Sequence, residues 1–198
     1  MILIFNFNKI NQMKKQLCIA LIITSFFACN NSQKEAKMDE SITTVSRIDD
    51  NYSNSIKQDI LEAYAKNDFT KFDELVSDSA KVYFNSTTPI NKKEWLELAK
   101  SHHIYFDSIL WNKNSLYVKT DSLIKDEKHE NTTLKAGNIY TLVWYTWEAT
   151  GKTSHTKIIN PGSIIFQWVN NKIVRARFTF DPTPLMNEIA VTTNSAKK

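Results

Sequence analysis

The stretch from Gly137 to Asp181, GNIYTLVWYTWEATGKTSHTKIINPGSIIFQWVNNKIVRARFTFD, decides the architecture. It is dense in β-branched and aromatic residues and is punctuated at Thr150-Gly151 and Asn170-Asn171. That pattern predicts three long strands in a row, Asn138 to Ala149, Thr153 to Val169 and Lys172 to Phe180, forming an antiparallel meander. With two-residue turns, cross-strand partners sum to a constant. One face then carries Tyr140, Leu142, Trp144, Thr146, His155, Ile159, Ile165, Val174, Ala176, Phe178 and Phe180, and reads as the ring-rich inner face. The other carries Tyr145, Trp147, Ile164, Phe166 and Trp168 beside Arg175, Arg177 and Thr179, and reads as a mixed aromatic and basic outer surface. Pro161-Gly162 is the expected bulge or bend.

A sheet this long needs a cover, and the chain before it supplies one. Ser53-Asn54-Ser55 offers N-caps to a helix whose Ile56, Ile60, Ala63 and Tyr64 recur at helical spacing as far as Lys66. Phe69, Phe72, Leu75 and Val76 mark a short second helix. Ala80 to Asn85 is a short strand, with Val82, Tyr83 and Phe84 as its β-formers. Asn91 with Glu94 is a capping pair opening the longest helix, whose apolar face is Trp95, Leu98, Ala99, His102 and Phe106. Asp107 to Trp111 and Ser115 to Leu123 are two further strands. Ile124 to Ala136 reads as a charged loop holding His129, and Leu185, Met186 and Ile189 suggest a closing helical turn or two. The fold class is therefore α+β, with N-terminal helices packed on the concave face of a curved antiparallel sheet.

The first residues have a different purpose. Lys14 and Lys15 precede an uncharged apolar run from Leu17 to Ala28, proportioned as a secretory signal and too short to span a bilayer as a mature helix. The run ends at Phe26-Phe27-Ala28-Cys29 and resembles a bacterial lipoprotein signal. That resemblance implies cleavage before Cys29, lipidation of Cys29 and residence in the cell envelope, membrane-bound through that anchor alone. Met13 also reads as a natural start, which would make residues 1–12 an over-long reading of the gene. The expected organisation is residues 1–28 signal, 29–52 flexible tether, 53–190 folded domain and 191–198 tail.

Cys18 and Cys29 are the only cysteines, so the domain has none for a disulfide or a thiolate metal site. Removing residues 1–28 takes away Lys9, Lys14 and Lys15 and no acid, so the formal charge falls from +4 to +1. No clustered basic footprint remains to suggest nucleic-acid binding. HExxH, CxxC, GxSxG, phosphate-loop and dinucleotide patterns are all missing, so no cofactor or metal is expected.

The order of elements, with Tyr64-Ala-Lys-Asn-Asp68 ending the first helix, Asp78-Ser-Ala-Lys-Val82 opening the first strand and Asn171-Lys-Ile-Val174 leading to Phe180-Asp181-Pro182, resembles the nuclear-transport-factor-2-like superfamily with its SnoaL-like domains. The resemblance covers Ser53 to Ile189. It implies a cone with a pocket at its mouth, used by some members for cofactor-independent isomerase, dehydratase or cyclase chemistry and by others for binding. The position that resembles the isomerase-like base is filled here by Phe84 and the one that resembles the epoxide-hydrolase-like carboxylate by Phe178, which puts those two activities in doubt. His102 is the leading pocket candidate, as a general base or a ligand contact, against its reading as a histidine packed near a helix C-terminus. Tyr83 and His155 are weaker catalytic candidates. Tyr83, Phe84, His102, Tyr140, Trp144 and Phe178 form the expected ligand-binding set. Asp181 reads as a helix cap. The expectation is an exported domain that binds a small apolar or aromatic molecule or a partner protein, with a proton-transfer enzyme as the alternative. A homodimer through the outer sheet face, built on Tyr145, Trp147, Ile164, Phe166 and Trp168, is the interaction reading.

Overall fold

The computed structural model describes residues 45–47, 50–129 and 132–195. The expected signal, Cys29 and most of the expected tether lie outside them. In chain order the elements are β1 (Val45–Arg47), α1 (residues 51–65), α2 (Phe72–Leu75), β2 (Val76–Phe84), α3 (Lys92–Tyr105), β3 (Phe106–Trp111), β4 (Tyr117–Leu123), β5 (Glu127–His129), β6 (Thr132–Leu134), β7 (Ile139–Gly151), β8 (Lys157–Val169), β9 (Lys172–Phe180) and α4 (Thr183–Ser195). The main sheet runs β1-β4-β7-β8-β9-β2, with β3 pairing the far half of β7. Its pairs are antiparallel except β2 with β9, which is parallel. The fold class is the α+β cone expected from the sequence.

The long meander forms as predicted, but its geometry differs in two places. Thr150-Gly151 is not a two-residue turn: β7 continues to Gly151 and the chain reverses through residues 152–156, pairing Thr150 with Lys157. The shift is even, so the face assignment within β7 and β8 survives. Pairing runs straight through Pro161 and Gly162, and the bulge falls instead between Gln167 and Trp168. One extra residue there reverses parity along β9, so Phe166 faces Ala176 and Ile164 faces Phe178. Asn170 and Asn171, both at positive φ, form the tight β8–β9 turn that was read from sequence.

The inner and outer faces are also exchanged. Tyr145, Trp147, Ile164, Phe166 and Trp168, expected outside, are buried in the core, while Trp144 is 49% exposed and Ile159 and Ile165 also face out. Arg175 and Arg177 remain on the outer face, paired across to Gln167 and Ile165. A run of alternating apolar residues on both faces cannot say which face the helices cover.

Helix α1 is α-helical over Asn51–Ser55, π-helical over Ile56–Glu62 and α-helical again over Ala63–Ala65. It lays Ile56, Ile60 and Leu61 into the core. Helix α3 starts at the predicted capping box, with Glu94 N–H donating to Asn91 Oδ1 at 3.0 Å and Asn91 N–H donating to Glu94 Oε2 at 2.8 Å. Val45–Arg47, inside the expected tether, pairs as an edge strand with β4. The charged loop after β4 contains the β5–β6 hairpin, and the closing helix is longer than two turns, reaching into the expected tail. Glu188 of α4 is 2% exposed and holds the β7–β8 loop: its Oε1 accepts from Thr153 N–H at 2.8 Å and Ser154 N–H at 3.3 Å. Burial disfavours its charged form, but those donors and the nearby His155 outweigh it and keep the carboxyl below its ordinary pKa.

A buried polar chain links α1 to three neighbouring strands of the sheet, β4, β7 and β8. Ser53 Oγ lies 2.8 Å from Thr120 Oγ1, Thr120 Oγ1 lies 2.8 Å from Thr141 Oγ1, and Trp168 Nε1 donates to Thr141 Oγ1 at 2.9 Å. Thr141→Val keeps the shape and strands the indole N–H, so it should lower unfolding stability by roughly 1–3 kcal/mol. Thr141→Ser should recover most of that loss. Urea melts of the two variants check this.

Candidate functional site

The cone encloses a cavity whose walls come from every layer of the fold: Ile60, Leu61 and Tyr64 of α1, Phe69 and Phe72, Trp95, Leu98, Ala99 and His102 of α3, Trp111 of β3, and the inward side chains of β7, β8 and β9. Leu185 of α4 closes part of it. Its volume is about 90 Å³. An apolar cavity of about 150 Å³ accepts benzene, so a ring-sized ligand here needs some give from the wall. The rings are held by one another: Phe84 and Phe178 stack with centroids 4.4 Å apart, Phe72 meets Trp95 edge-on at 4.9 Å, and Trp111 meets Tyr145 edge-on at 4.8 Å. Gly162 is required where it is, because a Cβ there would sit 2.5 Å from the Tyr145 hydroxyl and 2.8 Å from the Thr179 carbonyl.

Several polar groups interrupt the apolar wall, and three of them make hydrogen bonds that fix their place. Asn160, 3% exposed, donates through Nδ2 to the Asp181 carbonyl at 2.8 Å. Trp111 Nε1 donates to the Leu61 carbonyl at 2.7 Å, inside the π-helical turn. The third is a contact between Tyr64 Oη and His102 Nδ1 at 2.8 Å. Burial lowers the His102 pKa to about 4, with the neighbouring His103 adding a little. Burial also raises the Tyr64 phenol well above its ordinary range, opposed in part by Trp147, and raises Tyr145 likewise. The pair is therefore neutral at physiological pH. Among the described residues, Asp59 and Asp68 are the ionic ones lining the cavity. Among the described residues no group of three His, Cys, Asp or Glu is placed to hold a metal.

The structure brings together part of the sequence-derived site. Phe84, His102 and Phe178 line the cavity, and the parallel β2–β9 register sets Phe84 directly beside Phe178. Tyr140 and Trp144 do not line it; they project from the outer face with the other even-numbered residues of β7. Tyr83 is also outside, covered by Arg175 and Arg177 at 5.4 and 4.7 Å from its ring. His155 is exposed in the β7–β8 loop at positive φ. Asp181 Oδ1 accepts from Thr183 N–H at 2.9 Å at the start of α4. Sequence reasoning missed Tyr64, Trp111, Tyr145, Trp147 and Phe166 as wall residues. The signal for Tyr64 was present, since it lies on the same helical stripe as Ile56 and Ile60.

No family model matches the chain, and no curated protein sequence matches it. Solved structures do. A candidate polyketide cyclase from Xanthomonas campestris matches with a TM-score of 0.50 and 10% identity over 69% of this chain and 96% of its own. A candidate polyketide cyclase, IdmH from Streptomyces antibioticus, gives 0.47 and 13% over 70% and 98%. An NTF2-like protein from Anabaena variabilis gives 0.46 and 14% over 65% and 86%. At this identity the likeness is one of fold alone, and the domain folds as the Xanthomonas campestris structure does.

The His102 shift carries a pH signature. Its folded pKa lies below the 6.5 of an unperturbed histidine, so between pH 6.5 and about 4 the unfolded chain takes up a proton that the folded chain refuses. The stability this residue contributes is complete above pH 6.5 and is lost as pH falls toward 4, by roughly 2–3 kcal/mol. In His102→Gln that part of the acid dependence should vanish, as read by urea midpoints between pH 4 and 7.

Proposed function

We propose that the cone binds a small, flat, largely apolar molecule, and that the chain serves as a binding domain rather than one with defined catalysis. The observation that carries this reading is a wall made mostly of rings and aliphatic side chains, in which the neutral Tyr64–His102 pair can orient a ligand. Phe84 and Phe178 occupy the positions where the family resemblance implies catalytic carboxylates, and their stacked rings leave no acid or base there. The second reading, proton transfer by His102, draws on its buried contact with Tyr64; a conjugate-acid pKa of about 4 makes it a weak base. The similar solved structures described as polyketide cyclases lend that reading a chemistry, while their likeness reaches the fold alone.

The proposal includes export. The run Leu17 to Ala28 ending at Cys29 supports a lipid-anchored domain on a bacterial envelope membrane. Mass spectrometry of the N-terminal peptide from the native host should find Cys29 as a lipid-modified first residue; an unmodified peptide running through Cys29 would end that part.

For the cavity, native mass spectrometry of the chain recovered from its host should release a small molecule on denaturation. Ala99→Leu, which fills the cavity from α3, should weaken that ligand by at least about tenfold, whereas Trp144→Ala on the outer face should leave its affinity unchanged. Equal loss in both variants, or no ligand at all, would remove the reading.

A further inference from the structure

Asn160 stands on β8 opposite Trp147, lines the cavity and is 3% exposed. Its amide fits only one way round. Nδ2 lies 2.8 Å from the Asp181 carbonyl, and a backbone carbonyl accepts but never donates, so the nitrogen is the end that faces it. The neighbouring chain holds that carbonyl in place. Phe180, one residue earlier, is gripped through both backbone groups by the Asn85 side chain: its carbonyl accepts from Nδ2 at 2.6 Å and its N–H donates to Oδ1 at 3.1 Å. Asp181 itself caps Thr183.

Oδ1 is therefore the free end of the Asn160 amide. It has no hydrogen-bond partner among the described residues and is not one of the polar atoms sealed from solvent. On a side chain this buried, the access it keeps is through the cavity it lines. The Trp147 indole across the strand pair does not fill the place, since its N–H makes no hydrogen bond. An amide oxygen has two lone pairs and no proton, so it only accepts. Its fixed polarity sets it apart from its neighbours. The Tyr145 hydroxyl, close against Gly162, can donate or accept, and the Tyr64–His102 pair can present either role according to the tautomer. The Trp111 N–H is already given to the Leu61 carbonyl.

We propose that Asn160 is a specificity-determining residue whose Oδ1 accepts a hydrogen bond from the ligand, so that the cavity takes uncharged, ring-sized molecules bearing a hydroxyl donor, phenols above all. A ligand that brings only an acceptor, such as an aldehyde, would set two carbonyl oxygens against each other and leave both unpaired once water is expelled. A carboxylate would meet Asp59 and Asp68 with no lysine or arginine among the described lining residues to offset them. An ammonium would give up its hydration for a mostly apolar wall. The ligand class rests on the cavity reading proposed above; the orientation of the amide does not.

Chemical-shift titrations of the full chain at pH 7 with phenol, toluene and benzaldehyde, three rings of similar size, test the ligand class. Phenol is expected to bind at least about tenfold tighter than the other two. Toluene or benzaldehyde binding as well as phenol would overturn the ligand class and leave the cavity reading standing. No binding by any of the three would overturn the cavity reading and this proposal with it. Asn160→Leu tests the residue. In that variant phenol and toluene should bind within about twofold of each other. The readout is the ratio of the two affinities, which a general loosening of the site by loss of the Asp181 bond does not imitate. A phenol preference that survives in the variant would overturn the role of Asn160. If Asn160→Leu does not fold, a crystal structure of the unaltered chain grown with phenol decides the matter. The phenol oxygen is expected about 2.8 Å from Asn160 Oδ1, and a hydroxyl turned to any other group would count against the proposal.

Discussion

The pairing of β7 with β8, unbroken from Ile139 opposite Trp168 to Thr150 opposite Lys157, is the constraint on which the rest depends. It fixes which side chains of the two longest strands share a face, and so commits Tyr145, Trp147, Ile164, Phe166 and Trp168 together. Everything else is placed against that set. Helices α1 and α3 pack over it, β4 and β3 divide the free edge of β7 between them, and β9 carries the sheet across to β2. The bulge after Gln167 is what lets Ala176 and Phe178 join the same interior. Without the extra residue there, β9 would turn its arginines inward and its phenyl rings to water.

A buried arrangement of rings this dense sets the chemistry by subtraction. Desolvation keeps His102 and Tyr64 neutral, and the apolar neighbours around them leave little for a ligand to do except pack and make one directed hydrogen bond. Several polar groups elsewhere in the core are tied up by the fold. Ser53, Thr120, Thr141 and Trp168 satisfy one another, Asn160 is tied to the backbone ahead of α4, and Glu188 is committed to a loop.

Much of this was legible from the sequence because local signals and long-range demands agreed. The Asn91–Glu94 box, the Asn170-Asn171 turn and the strand lengths of the meander each follow from backbone chemistry that operates within a few residues. The site was half legible. His102 follows from helical periodicity and Phe84 from the family resemblance, while Phe178 is inward because the bulge in β9 offsets the exchange of faces; Tyr140 and Trp144 read as inward because their face is as aromatic as the one that is buried. The missing information was nonlocal. A bulge that reverses β9 leaves no mark in composition, and which face the helices cover depends on how α1 and α3 fit the rings, not on the alternation itself. Trp147 illustrates the cost: its position on the strand was read correctly and its side of the sheet was not.

The π-helical stretch at the centre of α1 has an effect on the two ends of the cone. In a uniform α-helix the azimuth of Tyr64 would follow from that of Tyr52 and Ser53 by fixed steps, and one face would serve both ends. The wider turns at Ile56–Glu62 break that phase relation. The first α-helical segment can then aim Ser53 at Thr120 and Tyr52 at Trp168, while the last aims Tyr64 at His102. Helix α1 thus works as two short rotors on one axle, clocked separately, and the wide turns between them set the angle at which the cavity's polar pair meets whatever enters.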